Sequence, residues 1–317
     1  MSNFFVNFID VRRSPLVKFL FFAARKRFVR LFLFLIAAAA IWLAAWAFWY
    51  EPSSLTVKSY QIKLTGWNPV LNDFKIIAIS DVHGGSNFID AAKIQQIVAL
   101  ANAENPDLIV LLGDYVSQNS RDHQSLKMPM AEIADNLRGL TAKRGVFAVL
   151  GNHDGWYNDA VVRQELMRVG IRVLENEAVV IKQNNAEFRL LGLKDALRFP
   201  SWQSYSIEAK KALAQITSDG KIIVLEHNPD AVPALLSGFP PPNDLALILA
   251  GHTHGGQVNL PFIGAPVVPA DKKYTVGLIE ENGSQIFVTS GIGTSILPVR
   301  FRVPPEISFL TIKQLEQ

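Results

Sequence analysis

"LALILAGHTHGGQV" (residues 245–258) joins an unbroken apolar run to two histidines set among glycines. The run has no polar residue on either face and is too short for an ordinary helix, which is how a strand buried on both sides reads. Gly251 and Gly255 permit the tight turn that must follow. The chain has only six histidines in 317 residues, so His252 and His254, two positions apart, call for a chemical reason.

The same pattern, an apolar strand running into a polar turn, occurs four more times. Lys75–Ser80 (KIIAIS) leads into Asp81-Val82-His83, and Leu108–Gly113 (LIVLLG) leads into Asp114. Val146–Gly151 (VFAVLG) runs into Asn152-His153-Asp154, and Lys221–His227 (KIIVLEH) ends on His227 itself. Between these strands the pattern predicts helices over 90–103, 130–139, 158–169, 206–216 and 230–237, with Asp90 and Asn158 as N-caps. Hairpins are expected over 178–193, turning near Asn184-Asn185, and over 274–290, turning at Asn282-Gly283. A possible edge strand covers 55–64 and a last strand covers Glu306–Ile312. Strands alternating with helices, plus hairpins, predict a mixed α/β domain with helices outside the sheets.

In open α/β sheets the crevice beyond the strands' carboxyl ends is where sites are built. Five of the six histidines fall in these turns, together with Asp81, Asp114 and Asn152. Histidine nitrogen with carboxylate and amide oxygen suits Mn, Fe or Zn rather than calcium, which takes oxygen alone. Residues i and i+2 of an extended segment face one side about 6.5–7 Å apart, and paired metals sit about 3.5–4 Å apart. His252 and His254 can therefore each take one metal. Spacing alone leaves this open, because Asp81 and His83 have the same separation and could share one ion. The chain has no cysteine, which excludes disulfides, thiolate metal sites and a cysteine nucleophile.

The ordered series Asp81-x-His83, Gly113-Asp114, Gly151-Asn152-His153-Asp154, His227 and Gly251-His252-x-His254 resembles the calcineurin-like metallophosphoesterases. The segments "GHTHGGQV" (251–258) and "SGIGTSILPVRFRVPPEI" (290–307) resemble a membrane-associated bacterial branch that includes enzymes similar to UDP-2,3-diacylglucosamine pyrophosphatases. The resemblance implies a four-layer αββα sandwich of two mixed sheets and two divalent metal ions as cofactors. It implies that Asp81, His83, Asp114 and His254 hold one ion, and that Asp114 bridges to a second held by Asn152, His227 and His252. His153 matches the family's catalytic histidine, with Asp154 as its expected orienting partner. The implied reaction is attack of a metal-bound hydroxide on a phosphate ester. Val82 and Gly84 depart from the family pattern, where many relatives carry leucines, but no ligand position is lost.

The N-terminus carries a different signal. Residues 31–50 (LFLFLIAAAAIWLAAWAFWY) are twenty residues without a charge, and at about 1.5 Å per residue they span about 30 Å, the thickness of a bilayer core. Seven basic residues and one acid, Asp10, precede them. The positive-inside rule therefore predicts a single-pass membrane anchor with a cytoplasmic N-terminus and an extracytoplasmic catalytic domain. Ala45-Trp46-Ala47 offers a cleavage-like alternative, but the basic region before it is too long for an ordinary signal peptide. The expected organisation is a basic cytoplasmic tail (1–30), a transmembrane helix (31–50), a linker with an edge strand (51–72) and a metallophosphoesterase domain (73–317). Setting aside residues 1–30 leaves 24 basic against 27 acidic residues, so the exported part has no global signature for nucleic acid.

Substrate choice falls to the loops at 115–130, where His123 reads as an exposed loop residue, and at 195–205. Lys272, Lys273, Arg300 and Arg302 follow the last motif and could grip a phosphate or headgroup. Phe199, Trp202 and Phe262 could stand near a bilayer, although single aromatics of this kind more often pack into a core. The expected function is hydrolysis of a phosphodiester, with the anchor favouring a lipid-like substrate. The alternatives are a broad phosphatase or phosphodiesterase, a UDP-diacylglucosamine-type pyrophosphatase, and a non-catalytic metal-binding scaffold.

Overall fold

The structure is a computed structural model that describes residues 15–119, 125–238, 244–295 and 297–315. His123 lies outside the described residues. The chain divides into two compact units, Met1–Ala47 and Phe48–Gln317.

The first unit contains α1 (Pro15–Ala45), 31 residues long. Its described side chains are almost all exposed, aromatic and aliphatic ones included. The helical stretch Phe21–Ser53 is long and apolar enough to cross a membrane by length and composition.

In the second unit a helical turn, α2 (Glu51–Ser53), precedes β1 (Thr56–Leu64) and β2 (Phe74–Ile79). There follow α3 (Ala91–Ala103), β3 (Leu108–Leu112), α4 (Met130–Leu137), β4 (Val146–Val149), α5 (Asn152–Tyr157), α6 (Asp159–Arg168) and β5 (Arg172–Val173). The second half runs β6 (Glu177–Gln183), β7 (Ala186–Gly192), α7 (Trp202–Leu213), β8 (Ile222–Leu225), α8 (Val232–Gly238) and β9 (Leu245–Ala250). It closes with β10 (Gly277–Glu281), β11 (Ser284–Val288) and β12 (Glu306–Gln314). These form two six-stranded mixed sheets, β1-β12-β2-β3-β4-β5 and β10-β11-β9-β8-β7-β6.

Strand alternation explains the layers. Ile76, Ala78, Leu108, Val110 and Leu112 point to one face of the first sheet and meet Leu190, Ile223, Leu225, Leu247 and Leu249 of the second. Phe188 sits in this inter-sheet core against Phe74 and Trp67, with ring centroids 5.2 and 5.4 Å away. The intervening residues Ile77, Ile79, Ile109 and Leu111 pack outward against Ile94 and Ile97 of α3, Ile133 of α4 and Leu166 of α6. Leu191, Ile222, Val224 and Ile248 pack outward against Tyr205 and Ala209 of α7 and Leu235 of α8. The result is the expected αββα sandwich. Strands β2, β3, β4, β8 and β9 have apolar neighbours on both faces, which is why these sequence runs read as continuous rather than alternating.

Asp90 and Asn158 cap α3 and α6 as expected, accepting from the backbone N–H of Lys93 and Val161. The helix expected at 206–216 instead spans Trp202–Leu213, because Ser201 caps it by accepting from Ser204 N–H. Both hairpins form, and β10–β11 turns through positive φ at Asn282 and Gly283. The short α5 and the two-residue β5 are too brief to leave a periodic signal.

Candidate metal centre

Strands β2, β3 and β4 are mutually parallel, as are β7, β8, β9 and β11. The turns leaving β2, β3, β4, β8 and β9 converge. Among the described residues, three groups of side chains lie close enough to share an ion: Asp81, His83 and His254; His83, Asp114 and His153; and Asp114, His227 and His252. Asp114 sits at the middle, its Oδ2 3.3 Å from His227 Nε2 and 3.7 Å from His83 Nε2. Asn152 Oδ1 is 3.1 Å from His227 Nε2, so all seven expected ligands are brought together.

The backbone is bent to achieve this. Asp81, His83, Asp114, His252 and His254 have φ values of 55°, 47°, 57°, 69° and 51°. Non-glycine residues held there cost about 1–3 kcal/mol each and concentrate at functional sites. Glycine is required where the turns touch: a Cβ on Gly251 would collide with Ser80 Oγ, and one on Gly151 with the Asp114 carboxylate.

Hydrogen bonds fix which nitrogen faces the centre. His83 Nδ1 lies 3.1 Å from Val116 O, His227 Nδ1 2.7 Å from Leu112 O, and His252 Nε2 3.2 Å from Pro269 O. A carbonyl only accepts, so each of these nitrogens carries the proton in the neutral ring and the other nitrogen presents a lone pair inward. His227 Nε2 and His252 Nδ1 then face each other at 3.2 Å, and His83 Nε2 and His254 Nε2 are equally close. In the neutral rings the facing lone pairs of His227 and His252 repel unless a cation lies between them. Asp81 Oδ1 and His254 Nδ1 are buried without a hydrogen-bond partner. This donor set of nitrogen and oxygen fits divalent metals.

The electrostatics agree. Burial pushes the Asp81 carboxyl up to about 6, against the pull of His227. Burial also lowers His83 and His252 to about 4, and His254 lies well below its ordinary value through burial and the neighbouring His83. Burial opposes charge on His227 too, yet the adjacent Asp114 carboxylate holds it well above the usual range. Burial would raise Asp114, but His227 beside it keeps its carboxyl well below the ordinary range.

His153 lies at the rim, its ring 4.8 Å from that of His83 and 4.7 Å from that of the exposed Trp156. Its expected orienting partner is a correction. The Asp154 carboxylate accepts from the backbone N–H of Asp114 (2.8 Å), Tyr115 (2.9 Å), Val116 (3.3 Å) and Gly151 (2.9 Å), so it knits two ligand loops together. The ring of His153 is held instead by Gln118, whose Oε1 lies 2.8 Å from Nδ1 while its Nε2 donates to His153 O at 2.9 Å. Gln118 was not found in the sequence, because a glutamine in a long loop carries no spacing signal.

Arg300 is a second correction. It is fully buried, with its guanidinium donating to the carbonyls of Ser290, Gly291, Gly293 and Val303 at 2.6–3.1 Å, so it presents no surface to a substrate. Lys273 pairs with Glu281 at 3.0 Å and lies over the Tyr274 ring. Lys272 and Arg302 are exposed. Phe199 packs on Tyr205, whereas Trp202 and Phe262 are exposed.

A site of this kind, donor-rich and built on strand-end turns of two facing sheets, defines a metal-dependent hydrolase of phosphate esters, and comparison with known proteins gives the family. Residues 74–256 match the model of the calcineurin-like phosphoesterases. An uncharacterized metallophosphoesterase, YkuE of Bacillus subtilis, is 30% identical over 298 residues, covering 92% of this chain and 98% of that protein. Phosphodiesterase YaeI of Escherichia coli is 34% identical over 247 residues, covering 75% and 82%. A Danio rerio transmembrane protein with a metallophosphoesterase domain is 30% identical over 257 residues, covering 77% and 54%. The chain belongs to the calcineurin-like phosphoesterase family, as an enzyme with two divalent metal ions as cofactors.

Proposed function

We propose that this chain is a membrane-anchored phosphodiesterase acting on a lipid-like substrate outside the cytoplasm. The observation that carries the catalytic part is the set of three histidines whose outer nitrogens are bound by backbone carbonyls, so that their inner lone pairs converge on Asp114. Asp81, His83, Asp114 and His254 would hold one cation, and Asp114, Asn152, His227 and His252 the other. Bound there, the cations would supply Lewis-acid activation of water and charge neutralisation at the phosphoryl group.

The chain's own residues do the rest. Asp154 fixes the loops that carry Asp114 and Asn152, and Asp114 Oδ1 accepts from His153 N–H at 2.8 Å. With Nδ1 committed to Gln118, His153 presents Nε2 to the rim, where it can donate to the leaving oxygen. Burial lowers the pKa of His153, against the pull of the Asp114 carboxylate.

The apolar stretch Phe21–Ser53 and the basic residues before Leu31 support the anchor and its orientation. The similarity to a transmembrane relative supports the anchor.

The test is hydrolysis by the full chain in detergent, with Mn²⁺ or chelator, of paired aryl phosphate monoesters and diesters and of phospholipid in mixed micelles. Chelator-sensitive diester cleavage is expected, and turnover indifferent to chelator would refute the catalytic reading. A reporter fused to the C-terminus that is active only in the cytoplasm would refute the orientation.

A further inference from the structure

The segment between the last metal motif and β10 carries a feature that catalysis does not use. Leu260 and Gly264 exchange two backbone hydrogen bonds of 2.9 Å, closing a small hairpin over Pro261-Phe262-Ile263. Phe262 at its tip, with φ 67°, is 108% exposed, and Ile263 is 73% exposed. Val267 on the returning arm is 70% exposed, and Leu297 beside the loop base is 59% exposed. The loop is built rather than loose. Gln257 Nε2 donates to Leu297 O at 3.1 Å, Phe301 N–H to Gln257 O at 2.8 Å, and Asn259 N–H to Phe301 O at 2.9 Å. A Cβ on Gly256 would overlap Ala265, so the returning arm is folded tightly onto the base.

A hydrogen-bonded hairpin with a phenylalanine and an isoleucine at its tip is an apolar surface without a partner among the described residues. Its position identifies the partner. The segment that clamps the loop also receives the chain as it leaves the apolar helix: Val303 N–H donates to the buried Glu51 carboxylate, and Thr56 N–H to Pro305 O at 3.1 Å. Phe301, which holds the loop, and Val303, which holds Glu51, are two residues apart, at most about 7 Å. Immediately before Glu51 stand the exposed Phe48 and Trp49, the kind of residue that occupies a membrane interface. On its other side, the hairpin starts at Leu260, six positions after His254.

We infer that the 260–267 hairpin inserts Phe262 and Ile263 into the membrane interface, as a second contact that holds the metal centre at the level of lipid headgroups. This rests on the membrane reading given under Proposed function. It narrows the substrate to phosphodiesters presented by the bilayer itself. Burying two such side chains multiplies the population of the docked state on the order of a hundredfold. The exposed Arg302, next to Phe301, is placed to meet anionic headgroups.

The chain has no cysteine, so one introduced thiol carries a label cleanly. The full chain with Ile263→Cys, or independently Val267→Cys, is labelled with an environment-sensitive fluorophore and reconstituted into vesicles of phosphatidylcholine and phosphatidylglycerol. Lys182→Cys, at an exposed position in β6, is the control. The expected result is a blue shift and strong quenching by spin-labelled lipid at residues 263 and 267, and neither at 182. Emission at 263 and 267 as water-exposed as the control overturns the inference, as does cross-linking through Ile263→Cys into a dimer with quenching absent. Alkaline carbonate extraction of the same vesicles reports the anchor separately. If the chain washes off, the anchor reading fails whatever the label shows. If the chain stays while the label remains in water, only the loop inference fails.

Discussion

Two walls enclose the candidate metal centre, and they are built on opposite plans. The strand-end turns after β2, β3, β8 and β9 tie the outer nitrogens of His83, His227 and His252 to backbone, and leave Asp81 Oδ1 and His254 Nδ1 without a hydrogen-bond partner among the described residues. The tail segment 289–303 turns its polar groups on itself. Arg300 gathers four of its carbonyls, while Ile292 N–H and Gly293 N–H donate to Ser80 O and Asp81 O and so clamp the Asp81–His83 turn. Gly291, at φ 64°, lies so close that a Cβ would touch the Asp81 carboxylate. The first wall is chemically open and the second chemically closed. A charged residue near a site therefore serves chemistry or scaffolding according to where its hydrogen bonds are already committed.

The sharpest way to break the comparison is at the centre of the open wall. Asp114→Asn keeps the Oδ1 that accepts from His153 N–H but removes the charge facing His83 and His227. We expect kcat/KM on an aryl diester to fall on the order of a thousandfold, about 4 kcal/mol. Isothermal titration should show weakened binding of at least one Mn²⁺, with the fold intact by circular dichroism. Full activity in this variant would remove Asp114 from the site.

The closed wall should fail differently. Arg300→Met takes the buried donor from the Ser290, Gly293 and Val303 carbonyls, while Gly291 O keeps the Glu306 N–H at 3.1 Å. Loss of such a network costs about 3–5 kcal/mol, read as a fall in Tm on the order of 10 °C. At a temperature where the variant is still folded, KM for a soluble diester should stay within about threefold of the parent value. A large rise in KM with unchanged Tm would return Arg300 to substrate binding.

Much of the open wall was legible because its grammar is local. An apolar run, a glycine and a ligand-capable residue recur at each turn, and Asp81, His83, Asp114, Asn152, His227, His252 and His254 meet as that grammar implies. The inter-sheet core was legible for the same reason, since each buried strand announces itself. The closed wall was not. Arg300 carries the same letter whether it faces solvent, phosphate or four carbonyls, and only the path of residues 290–303 decides. Asp154 was misread likewise: adjacency to His153 suggested a partner, but as the third residue of α5 its carboxylate turns back to the loop amides at 114–116.

Gln118 lies between the two plans, committed through Nε2 to backbone and through Oε1 to a working ring. Gln118→Ala should lower kcat about 10–100-fold with KM nearly unchanged, because His153 keeps its place on α5 but loses its ring orientation. Gln118→Glu retains the acceptor and should recover most of the rate. If the two variants are equally impaired, Gln118 acts through the loop rather than through the imidazole.

The smallest effect is expected at Lys273, which followed the same motif and was read for the same task as Arg300. Its side chain is 44% exposed, and its ammonium pairs with the Glu281 carboxylate and lies over the Tyr274 ring. Exposed ion pairs contribute about 0–1 kcal/mol, because water and salt screen them and the long side chain loses freedom on pairing. Lys273→Ala should therefore leave kcat/KM on a soluble diester within about twofold and shift Tm by no more than about 2 °C. A loss of activity comparable to that of Gln118→Ala would mean that the β10 side of the rim reaches the substrate, and that the division into an open and a closed wall is drawn in the wrong place.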